Sequence, residues 1–251
     1  MDVDFSGFEW FLIALIFVWT GFVRTGLGFG GAALGLPFML MIEDNLLYWL
    51  PIIGIHLLFF SSLTLRTAIR KVDWRYLKRS LGWILPPTLL GVFGLVSLPT
   101  HWLVVFVYVI TIFYALMWML DKTIHSESGW VDRILLMFGG YVAGTSLTGA
   151  PLMVAVFAKH IDRFMLRNTL FVLWFILVSI KMSTFVMLDV KIEWQTALWL
   201  LPIAAIGHVA GLKAHEFILH NSQTFKQIMG AMLLVVSTIG LIVVLMKMAN
   251  P

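Results

Sequence analysis

Gly21-Phe22-Val23-Arg24-Thr25-Gly26-Leu27-Gly28-Phe29-Gly30-Gly31 sits inside an apolar stretch of 35 residues, Phe8–Ile42. As one helix that stretch would run about 52 Å, against a hydrocarbon core of about 30 Å. It has to break. Glycine costs about 1 kcal/mol in a helix interior, so the cluster Gly26, Gly28, Gly30 and Gly31 marks the place. A counterpart lies 119 residues further on, Gly140-Tyr141-Val142-Ala143-Gly144-Thr145-Ser146-Leu147-Thr148-Gly149-Ala150. In the same order, Val72-Asp73-Trp74 matches Ile192-Glu193-Trp194, and Pro87 and Gly94 match Pro202 and Gly211, all at offsets between 115 and 120. The expectation is a duplication: a membrane repeat over 1–120, a linking loop over 121–132 and a second repeat over 133–251.

The rest of the chain agrees with a lipid environment. It is 61% hydrophobic and 12% charged, with a mean hydropathy of +0.96. Spans of roughly 20 apolar residues recur at Leu46–Leu65, Leu81–Leu98, Trp102–Leu120, Leu166–Leu188, Gln195–Leu212 and Gln227–Met246, which leaves little length for a soluble domain. The fold class expected is therefore an all-α polytopic membrane protein in the inner membrane of the cell. The opening Met1-Asp2-Val3-Asp4 lacks a basic region and a small-residue cleavage pattern, so we expect no signal peptide. The absence of cysteine excludes disulfides, thiolate metal sites and cysteine nucleophiles.

The net charge of +4 does not indicate nucleic acid, because six basic residues (Arg66, Arg70, Lys71, Arg75, Lys78, Arg79) share one loop between spans. Loops of that kind face the cytoplasm. If each glycine-rich segment is a hairpin of short helices, the loops Arg66–Arg79, Lys122–Arg133, Lys159–Arg167 and Lys213–Lys226 all lie inside, and only Lys191 and Lys247 lie outside. Making only the second segment a single crossing would put five basic residues outside against ten inside. The hairpin arrangement obeys the rule better, places both termini outside and makes the two repeats inverted.

Breaks in membrane helices expose backbone groups, and these are tolerated where protein or a wet cavity satisfies them. A half-helix starting after such a break presents free amides and a positive partial charge to an anion. Here the second half-helices are expected to start near Gly30-Gly31 and Thr148-Gly149, with Pro151 suited to a first turn. The bland alternative is that these glycines only let helices pack closely. Two basic residues lie deep in the apolar segments, Arg24 beside the first break and Lys181 seven residues before Leu188. Both are site candidates, against a place at the cytoplasmic turn for Arg24 and snorkelling for Lys181. Ser61, Ser62, Thr64, Thr145, Ser146, Thr148 and Asn168 add neutral donors, each able instead to bond its own helix. His56 and His208 are mid-span, but nothing in their spacing requires a haem, and Gly207 and Gly211 read as a packing face. All 13 acidic residues fall in loops or at span ends, which argues against a carboxylate-coupled pump.

At its two glycine-rich segments the chain resembles the TauE/SafE family of sulfite exporters, whose halves each carry a glycine pattern followed by proline. The first copy runs from Gly21 to Gly31 with Pro37, the second from Gly140 to Gly149 with Pro151. Two departures stand out: Ala32 and Ala150 occupy usual glycine positions, and Arg24 replaces a small residue. The resemblance implies transport, commonly outward, of sulfite, sulfonates such as sulfoacetate, or other small organic or sulfur-containing anions. Substrate binding is then expected from Arg24, Gly28, Gly30, Gly31, His56, Thr145, Ser146, Thr148, Gly149 and Lys181. The partners expected are a small anion and the bilayer, with no nucleic acid, and a homodimer is compatible with the pattern. No cofactor, metal or catalytic residue is expected, since no nucleophile–base pair or metal cluster has usable spacing. The alternative from another class is a non-transporting membrane subunit that anchors or assembles a partner.

Overall fold

The computed structural model describes residues 4–27, 30–122, 128–220 and 222–250. Gly28 and residues 123–127 of the linking stretch lie outside the described residues. The described residues form ten α-helices with no strand: α1 (Gly7–Leu27), α2 (Gly31–Ile42), α3 (Leu46–Ala68), α4 (Trp74–Ser97), α5 (Thr100–Met119), α6 (Gly129–Ser146), α7 (Ala150–His160), α8 (Arg163–Met187), α9 (Trp194–His220) and α10 (Ser222–Ala249). Seven of them, α1, α3, α4, α5, α8, α9 and α10, are long and apolar enough to cross a membrane. α6 is shorter, carries Asp132 and Arg133 near its start, and begins inside the stretch read as a link.

Side-chain caps show where the chain turns in polar surroundings. Asn45, Asp73, Ser128 and Asp162 each accept a hydrogen bond from an amide in the first turn of α3, α4, α6 and α8. Asp73 explains why α4 starts at Trp74, well before the apolar window that opens at Leu81. At the two breaks the chemistry differs, since neither α2 nor α7 has a side-chain cap. Gly30 turns the chain with φ 81°, a left-handed conformation that glycine adopts at no steric cost. Leu147 holds φ 59° at the corresponding end of α6.

Both half-helices fold back along the helix that precedes them. A Cβ on Gly31 would stand 2.9 Å from Arg24 Cβ, and one on Gly35 would strike Thr20, so α2 lies antiparallel against the end of α1. The Trp19 indole N–H donates to the Leu34 carbonyl across the same seam at 3.2 Å. In the second hairpin a Cβ on Gly139 would come within 2.8 Å of Met153 Cγ, and one on Gly149 would strike the Gly139 carbonyl. Each segment therefore enters and leaves at the same end of the bundle.

Small residues also set the main crossings. α1 packs along α9, where a Cβ on Gly21, Gly207 or Gly211 would collide with the opposing backbone, and α6 packs along α4 in the same way through Gly140, Gly144 and Gly91. α3 pairs with α8 and α5 with α10. The Asp73 amide donates to Thr169 Oγ1 at 2.9 Å, which puts the starts of α4 and α8 at the end holding the basic loop. At the opposite end Lys247 pairs with Asp44 at 2.7 Å. Asp132 is buried in the first turn of α6, at the end of its helix. It pairs there with Lys159 at 3.1 Å and lies 2.7 Å from His160 Nε2.

Gly207→Ala is expected to destabilise the detergent-solubilised protein by about 1–3 kcal/mol, because its Cβ lands on the Val18 carbonyl. Gly82→Ala meets nothing within 4 Å and should stabilise α4 by about 1 kcal/mol. Thermal unfolding of both variants checks this, and equal losses would contradict the packing described.

Candidate anion site between the two hairpin tips

The starts of the two half-helices meet in the interior. Gly30, Gly31 and Ala32 from α2 and Leu147 and Ala150 from the second hairpin line one cavity, with Arg24, Ser61 and Trp174 around it. Both uncapped helix starts thus border the same space, where their first-turn amides and dipoles favour negative charge. Pro151 takes an early position in α7, where its missing N–H costs nothing.

The side chains around this cavity are donors without acceptors. Arg24 is 5% exposed, its guanidinium stacks over Phe60 at 4.2 Å, and its Nε and Nη2 have no hydrogen-bond partner. Ser61 Oγ and Trp174 Nε1 are likewise buried and unpartnered. A buried polar group left unpaired costs about 1–3 kcal/mol, and more when charged. Among the described residues, no Asp or Glu lines the cavity. The arrangement can therefore hold a small anion and would repel a cation. The space open to the centre of a water-sized sphere is only about 20 Å³, room for about one water.

Of the residues proposed from sequence, Arg24, Gly30 and Gly31 line this cavity. His56 shares a neighbouring void of about 10 Å³ with Arg24 and Thr20. Its Nε2–H donates to the Ala197 carbonyl at 2.8 Å, which fixes the tautomer. Thr145, Ser146, Thr148 and Gly149 belong to the second hairpin tip and do not line the cavity among the described residues. The Thr145 and Ser146 hydroxyls donate to the Val142 carbonyl, and Thr148 Oγ1 lies 2.7 Å from Ser146 Oγ, so these hydroxyls are engaged locally. Lys181 is 1% exposed with Nζ unpartnered, and it borders neither void. Its burial rules out snorkelling to the surface of this conformation. Gly28 lies outside the described residues.

Sequence reasoning did not single out Trp174 and Arg167. Arg167 donates from Nη2 to the Thr25 carbonyl at 3.3 Å, and its Nε is buried and unpartnered. His215 Nδ1 donates to the Gly26 carbonyl at 2.6 Å, so cationic or donor groups from α8 and α9 cover the carbonyl end of α1.

The family model described as sulfite exporter TauE/SafE matches residues 13–239. The chain belongs to this family. A TauE/SafE protein is a membrane transporter, and the long apolar helices make this one a multi-pass membrane protein. No curated protein and no solved structure matches the chain. In this TauE/SafE member the two glycine-rich segments are the two hairpins whose tips enclose the cavity.

Arg24→Met should leave the melting temperature of the protein equal to or above wild type in anion-free buffer, because it removes an uncompensated buried charge. A fall of several degrees would show that the guanidinium supports the fold rather than a ligand.

Proposed function

We propose that the protein is an inner-membrane exporter of small anions, namely sulfite, sulfonates or sulfur-containing organic acids, with its binding site in the cavity between the hairpin tips. The observation that carries this reading is the convergence of Arg24, Ser61 and Trp174, all with unpaired donors, on a cavity bordered by two half-helix starts. A sulfite or sulfonate group offers three oxygens to such donors, with charge-assisted bonds to the guanidinium.

Transport proceeds by alternating access of two inverted repeats, residues 1–120 and 133–251. Support comes from the exchange of partners between halves: α1 lies on α9 as α6 lies on α4, α3 meets α8, and α5 meets α10. Gly21 and Gly140, which occupy equivalent places in these crossings, are 119 residues apart, the spacing of the glycine motifs. Rocking one half against the other separates the tips and opens the cavity to one side. An inside-negative potential drives each negative charge outward by about 2.3 kcal/mol per 100 mV, so efflux needs no coupled ion.

The small volume of the cavity favours the other reading, a membrane subunit in which the glycines serve packing alone. Flux of labelled sulfite and sulfoacetate from proteoliposomes separates the two. Wild-type protein is expected to accelerate efflux, and Arg24→Gln to lower the apparent affinity by about 10–100-fold through loss of charge-assisted bonds. Efflux no faster than from protein-free liposomes for every anion tried would favour the packing subunit.

A further inference from the structure

Three of the buried donors without partners lie on α8, and their spacing is regular. Arg167 Nε, Trp174 Nε1 and Lys181 Nζ are seven residues apart in each step. At 3.6 residues per turn, positions seven apart return to nearly the same face, about 10 Å further along the axis. The three donors therefore form one stripe about 21 Å long, with Phe171 and Val178 between them at intervening turns. Between Phe164 and Met187 α8 has no acidic residue to pair with any of them.

The stripe passes the proposed site. Arg167 stands at its upper end, near the basic loops, with its guanidinium 5.6 Å from the Phe171 ring. Phe171 and Trp174 line the cavity between the tips together with Arg24 and Ser61. Below it, Val178 and Met182 close against Gly54 of α3, where a Cβ on the glycine would stand 2.6 Å from Met182 Sδ. Lys181 is fully buried at that level, one turn beyond Val178. Its amine has no acceptor and so makes no structural bond in this conformation.

We infer that this face of α8 is the translocation path for the anion, with Arg167 as the station on the basic side, Trp174 with Arg24 at the centre, and Lys181 as the station at the far end of the stripe, level with the contact of Val178 and Met182 on Gly54. The inference rests on the reading of the protein as an anion transporter and adds which residues the anion meets, and from which face. Each station supplies donors and no acceptor, so an anion passing from one to the next exchanges one unsatisfied group for another. The contact of Val178 and Met182 on Gly54 narrows the path beyond Trp174. It opens when the halves rock.

The natural absence of cysteine allows a test that needs no knowledge of the substrate. Phe171→Cys and Val178→Cys place a thiol on the stripe between stations, and Ile176→Cys and Ser179→Cys place one on the opposite face of α8. Each variant is treated in sealed vesicles with an anionic sulfonatoethyl methanethiosulfonate or its cationic trimethylammonium analogue. The stripe thiols are expected to react at least about tenfold faster with the anionic reagent, by electrostatic focusing. Phe171→Cys should react from the basic face and Val178→Cys from the other. The thiols at 176 and 179 should stay unlabelled. Labelling without charge preference, no labelling at either stripe position, or equal labelling around the helix would overturn the path. Sided kinetics give a second readout. Arg167→Gln should raise the apparent KM for sulfite presented on the basic face only, and Lys181→Met on the opposite face only. Equal effects from both faces would contradict the order of stations, and charge-selective labelling in a protein that moves no sulfite would fault the substrate assignment and spare the path.

Discussion

A guanidinium held out of water without an acceptor is the feature on which the rest of this molecule depends. Arg24 is 5% exposed, rests on the Phe60 ring, and leaves Nε and Nη2 unbonded. Cation–π contact returns about 2 kcal/mol in a desolvated setting, less than the cost of burying such a charge unpaired. A protein selected only for packing would place a small residue here, as the glycine motif around it suggests. The deficit is offset when an anion enters the cavity, which is the condition for a binding site that must also release its ligand.

The bilayer explains how that site is built. In lipid the backbone must satisfy itself, so an interrupted helix survives only when protein encloses the interruption. The hairpins α1–α2 and α6–α7 meet this requirement from opposite halves of the chain. Glycine-to-backbone contacts hold α1 on α9 and α6 on α4 closely enough to bring both tips to one point. The carbonyl end of α1 is covered by Arg167 and His215, while the starts of α2 and α7 keep their amides free of side-chain caps. Donor groups thus gather on one side of the break and acceptors on the other. With room for about one water, the cavity has to widen to admit an anion such as sulfite, so movement of the tips is part of any transport cycle.

Much of this was legible in the residues because lipid allows few solutions. The 35-residue run from Phe8 to Ile42 could not cross once, and the glycines said where it would break; α2 begins at Gly31 and α7 at Ala150, next to the places expected. Arg24, Gly30 and Gly31 were marked by charge and by glycine chemistry, and they line the cavity. Ser62 and Thr64 bond their own helix, as hydroxyls in apolar helices commonly do, while Ser61 in the same run does not. No local pattern separates these cases, since the difference is which face of α3 meets the cavity. Trp174 reads as one more apolar residue until its N–H is seen to lack a partner, and Arg167 reads as one more loop cation. The heptad spacing of Arg167, Trp174 and Lys181 was present in the sequence, but it carried no meaning until one N–H-bearing atom of each was seen to be buried without a partner.

The central claim, that an anion completes the bonding of the groups between the hairpin tips, is tested most directly by locating one there. Crystals grown or soaked with selenite, a heavier analogue of sulfite, give an anomalous selenium signal that needs no prior model of the ligand. The account predicts a peak within hydrogen-bond reach of Arg24, Ser61 and Trp174, between the starts of α2 and α7. Peaks confined to the basic loops at the membrane surface, with the interior empty at saturating selenite, would contradict it.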